Sequence, residues 1–204
     1  MPVRYEDSVF INCPFDPPYR PIFHAIVFAI ADAGFGPRCA LEVAGATRSR
    51  LEKIEAIIGE CRYGIHDVSR TESGAYGLPR LNMPLELGIF LGALRFGSPR
   101  QRRKRCLVLD RRPYRYQRFI SDIAGQDVDA HENRPARAIS IVRDWLRVES
   151  RRREIPGGRE IARRFRRFQR DLPEICRRLR LRPTELTFVD YTHVAEEWLK
   201  TNAP

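Results

Sequence analysis

Short apolar segments alternate with helical patterns along the first half of this chain, and this alternation most constrains the fold. The apolar segments have the length of buried strands, and amphipathic or apolar helical patterns separate them. Strands are predicted at 8–13, 37–42, 63–69 and 106–110, and helices at 21–33, at 49–61 and from about residue 82. Strands that alternate with helices are typical of a parallel sheet covered by helices on both faces. The sequence therefore predicts an α/β fold.

The third helical pattern is almost entirely apolar. Between Leu85 and Leu94 every residue is apolar or glycine except Glu86. We expect a buried helix, with the Asn82 side chain as its cap. A carboxylate in such a helix needs a cleft or a partner, because burying a charge costs free energy. Glu86 is therefore a candidate functional residue, and the alternative is that it only offsets the positive end of the helix dipole.

Polar side chains follow the ends of the predicted strands. In parallel sheets, ligands bind at the carboxyl ends of the strands, where the strand order reverses. The residues expected to converge on one crevice at this end are Asp16, Tyr19, Asp67, Ser69, Asn82 and Glu86. Such a set suits a sugar, because carboxylates accept hydrogen bonds from hydroxyl groups. A carboxylate can also stabilise, or attack, the cationic carbon that forms when a glycosidic bond breaks.

A loop at residues 14–19 follows the first predicted strand and contains two adjacent prolines that stiffen it. We expect this loop to cover the base of a ligand, with Phe15 or Tyr19 as the stacking surface. No phosphate-binding loop of the Gly-x-x-x-x-Gly-Lys type is present, and no Gly-x-Gly-x-x-Gly follows the first strand. A P-loop ATPase and a redox dehydrogenase are therefore disfavoured.

These residues carry a resemblance to a known superfamily. The segment Asp67-Val-Ser69, followed after a variable loop by Asn82-x-x-x-Glu86-Leu87-Gly88, resembles the nucleoside 2-deoxyribosyltransferase-like and TIR-like superfamily. The resemblance covers residues 8 to about 110 and implies a flavodoxin-like sheet. It implies that Glu86 is the catalytic carboxylate of N-glycosidic bond cleavage. It also implies nucleoside substrates, or NAD in the TIR-like branch, whose bacterial members often serve in phage defence.

One position departs from the pattern of this superfamily. Deoxyribosyltransferases usually carry a further acidic residue a few positions before the glutamate, where this chain has Arg80, Leu81 and Asn82. This departure weakens the expectation of transfer between deoxynucleosides.

Three functional hypotheses follow. In the first, the chain is a hydrolase or transferase that cleaves the N-glycosidic bond of NAD or a related nucleotide or nucleoside. Glu86 is catalytic, Asp67, Ser69 and Asn82 hold the ribose, NAD is a substrate, no metal or redox cofactor is needed, and the chain forms a homo-oligomer. In the second, the chain is a non-catalytic module that senses a nucleotide. In the third and weakest, it is a nucleic-acid-binding accessory protein.

Basic charge is concentrated near the C-terminus. Residues 151–182 contain thirteen arginines and four acidic residues, a net charge of +9 out of +11 for the whole chain. This segment belongs to a mostly helical extension, residues 113–204, that we expect to pack on an α/β domain of residues 1–112. The apolar residues Ile161, Phe165, Phe168 and Leu172 recur at helical spacing. A packed helix is therefore favoured over direct binding of nucleic acid.

The remaining features predict a cytoplasmic protein. The five cysteines are scattered without zinc-binding spacing, so reduced thiols and no metal site are expected. No apolar run approaches the ~20 residues of a membrane span, and the N-terminal residues lack a signal-peptide pattern. His66 alternates with Asp67 along a strand, so it is expected to face the opposite way as a core histidine.

Overall fold

A parallel sheet lies at the centre of the computed structural model, which describes residues 3–42, 49–71, 81–123 and 128–202. The strands are β1 (Ser8–Asn12), β2 (Gly36–Cys39), β3 (Tyr63–Asp67), β4 (Arg105–Asp110) and β5 (Val128–Ala130). All four strand pairings are parallel, and the strand order is β2-β1-β3-β4-β5. This order is that of flavodoxin-like sheets. The predicted α/β architecture is confirmed.

Helices cover both faces of the sheet. Within the described ranges they are α1 (Arg20–Asp32), α2 (Arg50–Glu60), α3 (Asn82–Phe96), α4 (Pro135–Ser150), α5 (Gly158–Arg178) and α6 (Phe188–Thr201). Side chains of a strand point alternately to its two faces. In β1, Val9 and Ile11 pack with α1 and α4, whereas Phe10 packs with α2 and α3. Every residue of β1 is buried, as expected for a strand covered on both sides.

Helices α5 and α6 form a second layer over α1. The Phe28 ring of α1 lies 5.4 Å from Phe165, 5.2 Å from Phe168 and 6.0 Å from Trp198, measured between ring centroids. The four residues predicted as the packing stripe of α5 are all buried, so that prediction is confirmed. Helix α1 is consequently enclosed between the sheet and the outer helices.

The sheet continues beyond the expected domain boundary at residue 112. Strand β5 pairs with β4 in a register that joins Val108 to Val128 and Asp110 to Ala130. The strand was missed because it has only three residues and carries the exposed Asp129 at its centre. The boundary expected from the sequence therefore falls inside the sheet, and the helical extension begins with α4.

Helix α6 begins at Phe188, directly after its cap Thr187. The Thr187 hydroxyl accepts a hydrogen bond of 3.2 Å from the Asp190 N–H, and the Asp190 carboxylate accepts one of 3.0 Å from the Thr187 N–H. This capping box was overlooked because Asp190 stands where Glu or Gln usually completes the pattern.

Helix α3 is not buried on all sides, and the prediction that it would be was wrong. Leu81 before its first residue is 59% exposed, Leu85 is 55% exposed and Phe96 is 83% exposed. A Cβ atom added to Gly88 or Gly92 would meet no atom within 4 Å. The buried face carries Met83, Glu86, Leu87 and Phe90. The outer face is open because no second helical layer covers this side of the sheet within the described residues.

The five cysteines are free thiols. None of the helices in the described part of the chain combines the length and the apolar character that crossing a membrane requires.

Candidate active site

Residues predicted to converge follow the carboxyl ends of β1 and β3, where the strand order reverses. Cys13 follows β1 directly and is buried there. Burial raises the pKa of the Cys13 thiol well above its usual value, and the nearby carboxylates of Asp67, Glu86 and Asp16 raise it further. Three carboxylates that were predicted to converge on this end of the sheet therefore all lie close enough to Cys13 to raise its pKa.

Glu86 is the carboxylate of this group that lacks a partner. It lies in the second turn of α3 and is only 7% exposed. No side chain or backbone group of the described residues forms a hydrogen bond or an ion pair with it. Burial raises its pKa from 4.5 to about 7, although the Arg50 guanidinium at the start of α2 acts in the opposite direction. A carboxyl group with this pKa exchanges between its protonated and ionised forms near neutral pH.

Asn12 fixes the first turn of α3 and so the position of Glu86. The Asn12 amide nitrogen donates a hydrogen bond of 2.8 Å to the Met83 carbonyl oxygen and lies 3.0 Å from His66 Nδ1. Sequence analysis did not single out Asn12. The sequence feature that could have identified Asn12 is its position as a polar residue at the end of a strand in which Val9, Phe10 and Ile11 are apolar.

His66 is a core histidine, as predicted. Its ring is fully buried and makes edge contacts with the rings of Phe10 and Phe90, at centroid distances of 5.7 Å and 4.9 Å. Burial lowers its pKa to about 3, so the ring is neutral at physiological pH. It contributes to the Asn12 contact rather than to acid–base chemistry.

Asp67 is fully buried and both of its carboxylate oxygens are engaged. Oδ1 accepts a hydrogen bond of 2.8 Å from the Ser69 N–H, and Oδ2 accepts one of 2.7 Å from the Tyr19 hydroxyl. His131 Nε2 lies 2.9 Å from Oδ2. His131 Nδ1 accepts a hydrogen bond of 3.0 Å from the Asn133 N–H. Asp67 therefore joins the loop after β1 to the residue after β5.

The structure brings Asp67, Ser69 and Tyr19 together, as expected, but buries all three. In this arrangement their hydrogen bonds hold together the loops that follow β1 and β3. Burial and the Asp67 carboxylate raise the pKa of the Tyr19 hydroxyl well above its usual value, so Tyr19 remains a neutral donor.

Asn82 occupies a different position from the one expected. The residue at the N-cap is Leu81, with no side-chain hydrogen bond, and Asn82 is the first residue of α3. The prediction that the Asn82 side chain caps the helix was wrong because the helix starts one residue earlier. Its side chain is exposed one turn before Glu86, and residues four apart lie on the same face of a helix.

Phe15 and Asp16 belong to the loop after β1. Phe15 is half-buried and its ring meets the Phe23 ring edge-on at 5.3 Å. The Asp16 carboxylate accepts a hydrogen bond of 3.2 Å from the Tyr19 N–H at the short 3-10 turn Pro17–Tyr19. It also lies 3.5 Å from the Arg70 guanidinium. Asp16 thus ties the loop after β1 to the loop after β3.

Arg115 was also missed by sequence analysis. Its buried guanidinium donates a hydrogen bond of 2.8 Å to the Asp110 carboxylate and one of 2.6 Å to the Val68 carbonyl oxygen. It therefore joins the ends of β3 and β4. Arg115 and His131 follow the segment that resembles a known superfamily, and nothing in the local sequence distinguishes them from surface residues.

The arrangement places Glu86, a carboxyl group without a partner in the described part of the chain, near polar side chains that are held by hydrogen bonds. No three His, Cys, Asp or Glu side chains of the described residues lie close enough together to hold a metal ion. Comparisons of this chain with protein-family models, curated proteins and solved structures found no match. The functional interpretation therefore rests on the residues of the site.

Proposed function

We propose that this chain is a TIR-like or deoxyribosyltransferase-like protein that cleaves the N-glycosidic bond of NAD or a related nucleotide or nucleoside. The observation that supports this proposal most directly is the state of Glu86. Its carboxyl group is buried, has no partner among the described residues, and has a pKa of about 7 at the end of the sheet where ligands bind.

The chemistry requires a carboxylate at this position. When the bond between the ribose carbon and the base nitrogen breaks, the base leaves with the bonding electron pair and positive charge develops on the ribose. The ionised Glu86 carboxylate stabilises this charge or attacks the carbon, and such stabilisation is strongest where water is excluded. Water then completes hydrolysis, or a second acceptor completes transfer.

The hydrogen bonds that Asp67 already accepts favour NAD over neutral nucleosides as the substrate. The nicotinamide of NAD carries a positive charge and leaves as a neutral molecule, so its departure needs no proton. A neutral nucleoside base leaves more readily when a second acidic group protonates it. Both oxygens of Asp67, a carboxyl group at the same end of the sheet, already accept hydrogen bonds.

Other residues have supporting roles in this proposal. The exposed Asn82 amide binds the ribose hydroxyl groups, and Phe15 stacks on the base. Asn12 and Asp67 position α3 and the loop after β1. A role in phage defence and assembly into a homo-oligomer remain predictions from the resemblance.

The test is to incubate the purified protein with NAD, NADP and a panel of nucleosides and to follow the free base by chromatography. Glu86→Gln removes the ionisable group, and Glu55→Gln makes the same change at an exposed position of α2. We expect the wild type and Glu55→Gln to release base, and Glu86→Gln to be slower by about 100-fold or more.

If the folded wild-type protein releases no base at high protein concentration, the proposal is contradicted. Binding of these ligands without release of base would instead support the nucleotide-sensing module.

A further inference from the structure

A row of arginines runs along the outer face of α5. Its members are Arg159, Arg163, Arg166, Arg170 and Arg177, and all of them are exposed. Their spacing of three, four or seven residues places them on one side of the helix. At 1.5 Å per residue, the row extends over about 27 Å.

An open groove between α5 and α6 lies beside this row. Its volume is about 700 Å³, and its lining residues are Glu160, Arg163, Arg164, Arg166, Arg167, Arg170, Trp198 and Asn202. The Arg167 guanidinium lies 5.8 Å from the centre of the Trp198 ring. Five arginines and one acidic residue give this surface a strongly positive potential.

The arginines of the row are not strongly held by acidic partners. Arg163 pairs with Glu160 at 2.7 Å and Arg177 pairs with Glu174, each within the helix and exposed to solvent. Such surface pairs contribute little free energy. Arg159 and Arg166 have no acidic partner among the described residues. Most of this charge can therefore interact with an external anion.

We propose that the outer face of α5, which we call the arginine row, binds the phosphate backbone of a nucleic acid duplex. Arginine forms two parallel hydrogen bonds to a phosphate, more favourably than lysine does. A row of five guanidinium groups along one helix suits a polymer that carries charges along its whole length. Because this face offers charge rather than groups for reading base edges, the binding is expected to be independent of sequence.

The same helix is poorly suited to a membrane surface. Helices that lie on bilayers insert Trp, Phe or Leu side chains between the headgroups. The large apolar residues of the arginine-row segment, Ile161, Phe165, Phe168 and Leu172, are buried in the protein core. The exposed face therefore offers mainly charge, with the half-exposed Leu179 at the end of the helix as an apolar neighbour.

The test measures binding to a fluorescein-labelled DNA duplex of mixed sequence and about 20 base pairs, by fluorescence anisotropy across a series of NaCl concentrations. The variant Arg163→Gln/Arg166→Gln/Arg170→Gln removes three charges from the arginine row. The control Arg95→Gln/Arg102→Gln/Arg112→Gln removes three exposed charges from other elements. Circular dichroism and thermal unfolding establish that both variants are folded.

We expect tight, salt-sensitive binding by the wild type. The arginine-row variant should lose about tenfold or more in affinity, and its plot of log K against log[salt] should become shallower by about 3, because each phosphate contact contributes about 0.9. The control should stay within about twofold of the wild type in affinity.

An equal loss in the control would overturn the proposal, because net charge alone would then explain binding. Absence of duplex binding by the folded wild type would also overturn it. So would binding of phosphatidylserine vesicles in preference to DNA.

Discussion

The ionisation of Glu86 links the stability of the fold to pH. Its pKa is about 7 in the folded protein instead of 4.5. A raised pKa means that the folded state favours the protonated form. Its contribution to stability is therefore fully present below pH 4.5 and is lost as the pH rises through about 7.

Glu86→Gln should stabilise the protein selectively at high pH. Since one pKa unit corresponds to about 1.4 kcal/mol, we expect the free energy of unfolding to rise by up to about 3 kcal/mol above pH 8, with little change near pH 4.5. Urea denaturation at the two pH values measures this difference. An equal increase in the free energy of unfolding at both pH values would contradict the raised pKa of Glu86. Glu55→Gln should give no such increase.

The rate of base release should also depend on the ionisation of Glu86. If the carboxylate is the reactive form, kcat/KM should fall about tenfold per pH unit below pH 7 and level off above it. Initial rates between pH 5 and 9 measure the profile, and Glu55→Gln should reproduce it. A flat profile across neutral pH would argue against this role for Glu86.

The hydrogen bond from Tyr19 to Asp67 should contribute measurably to stability. Tyr19→Phe leaves one oxygen of a buried carboxylate without this donor, so we expect a loss of about 1.5–3 kcal/mol in the free energy of unfolding. Tyr114→Phe is the matched control, because Tyr114 is 73% exposed. Equal denaturation midpoints for the two variants would show that the bond contributes nothing.

Among the elements, α5 is attached to α1 by a buried ion pair as well as by apolar contacts. Arg164 Nη1 lies 2.7 Å from the Asp32 carboxylate, which is almost completely buried. Burial raises the Asp32 pKa to about 6 even though the Arg164 guanidinium lowers it. This pair sets the position of the helix that carries the arginine row.

Arg164→Ala should therefore destabilise the protein strongly. It leaves Asp32 buried without its cation, which typically costs about 3–5 kcal/mol. The loss should be larger above pH 6, where Asp32 is ionised, than near pH 4, where protonation removes the charge. Thermal unfolding at both pH values measures it, and the exposed Arg163→Ala should lower the melting temperature only slightly.

Elements with local signals were predictable from the sequence, and elements that depend on tertiary pairing were not. Helix α2 lies within one residue of its predicted ends because Ser49 and Glu52 form a capping box that is readable in the sequence. Strand β5 has no such signal, since its pairing with β4 alone makes it a strand.

The same distinction applies to the candidate site. Glu86 was predictable because a single carboxylate interrupts an apolar helix. Arg115 and His131 were not, because their contacts with Val68 and Asp67 form only when β3, β4 and β5 pair in the sheet. The burial of Asp67 likewise depends on Tyr19 and His131, which lie 48 and 64 positions away along the chain.

At the scale of the whole molecule, the helical extension should be inseparable from the sheet. Removing all residues after Gly157 would uncover the outer face of α1, including Phe28, which is fully buried. We expect the truncated chain to aggregate or to lose cooperative unfolding, since it exposes a large apolar surface. Size-exclusion chromatography and thermal unfolding test this, and a stable truncated monomer would contradict it.

The enclosure of α1 and the openness of α3 have a consequence for motion. Amide hydrogens of a helix packed on both sides exchange with solvent only through large-scale opening, whereas a helix with one open face exchanges through smaller fluctuations. We therefore expect the amide hydrogens of α3, the helix that carries Glu86, to exchange faster than those of α1, and hydrogen exchange followed by mass spectrometry measures the difference.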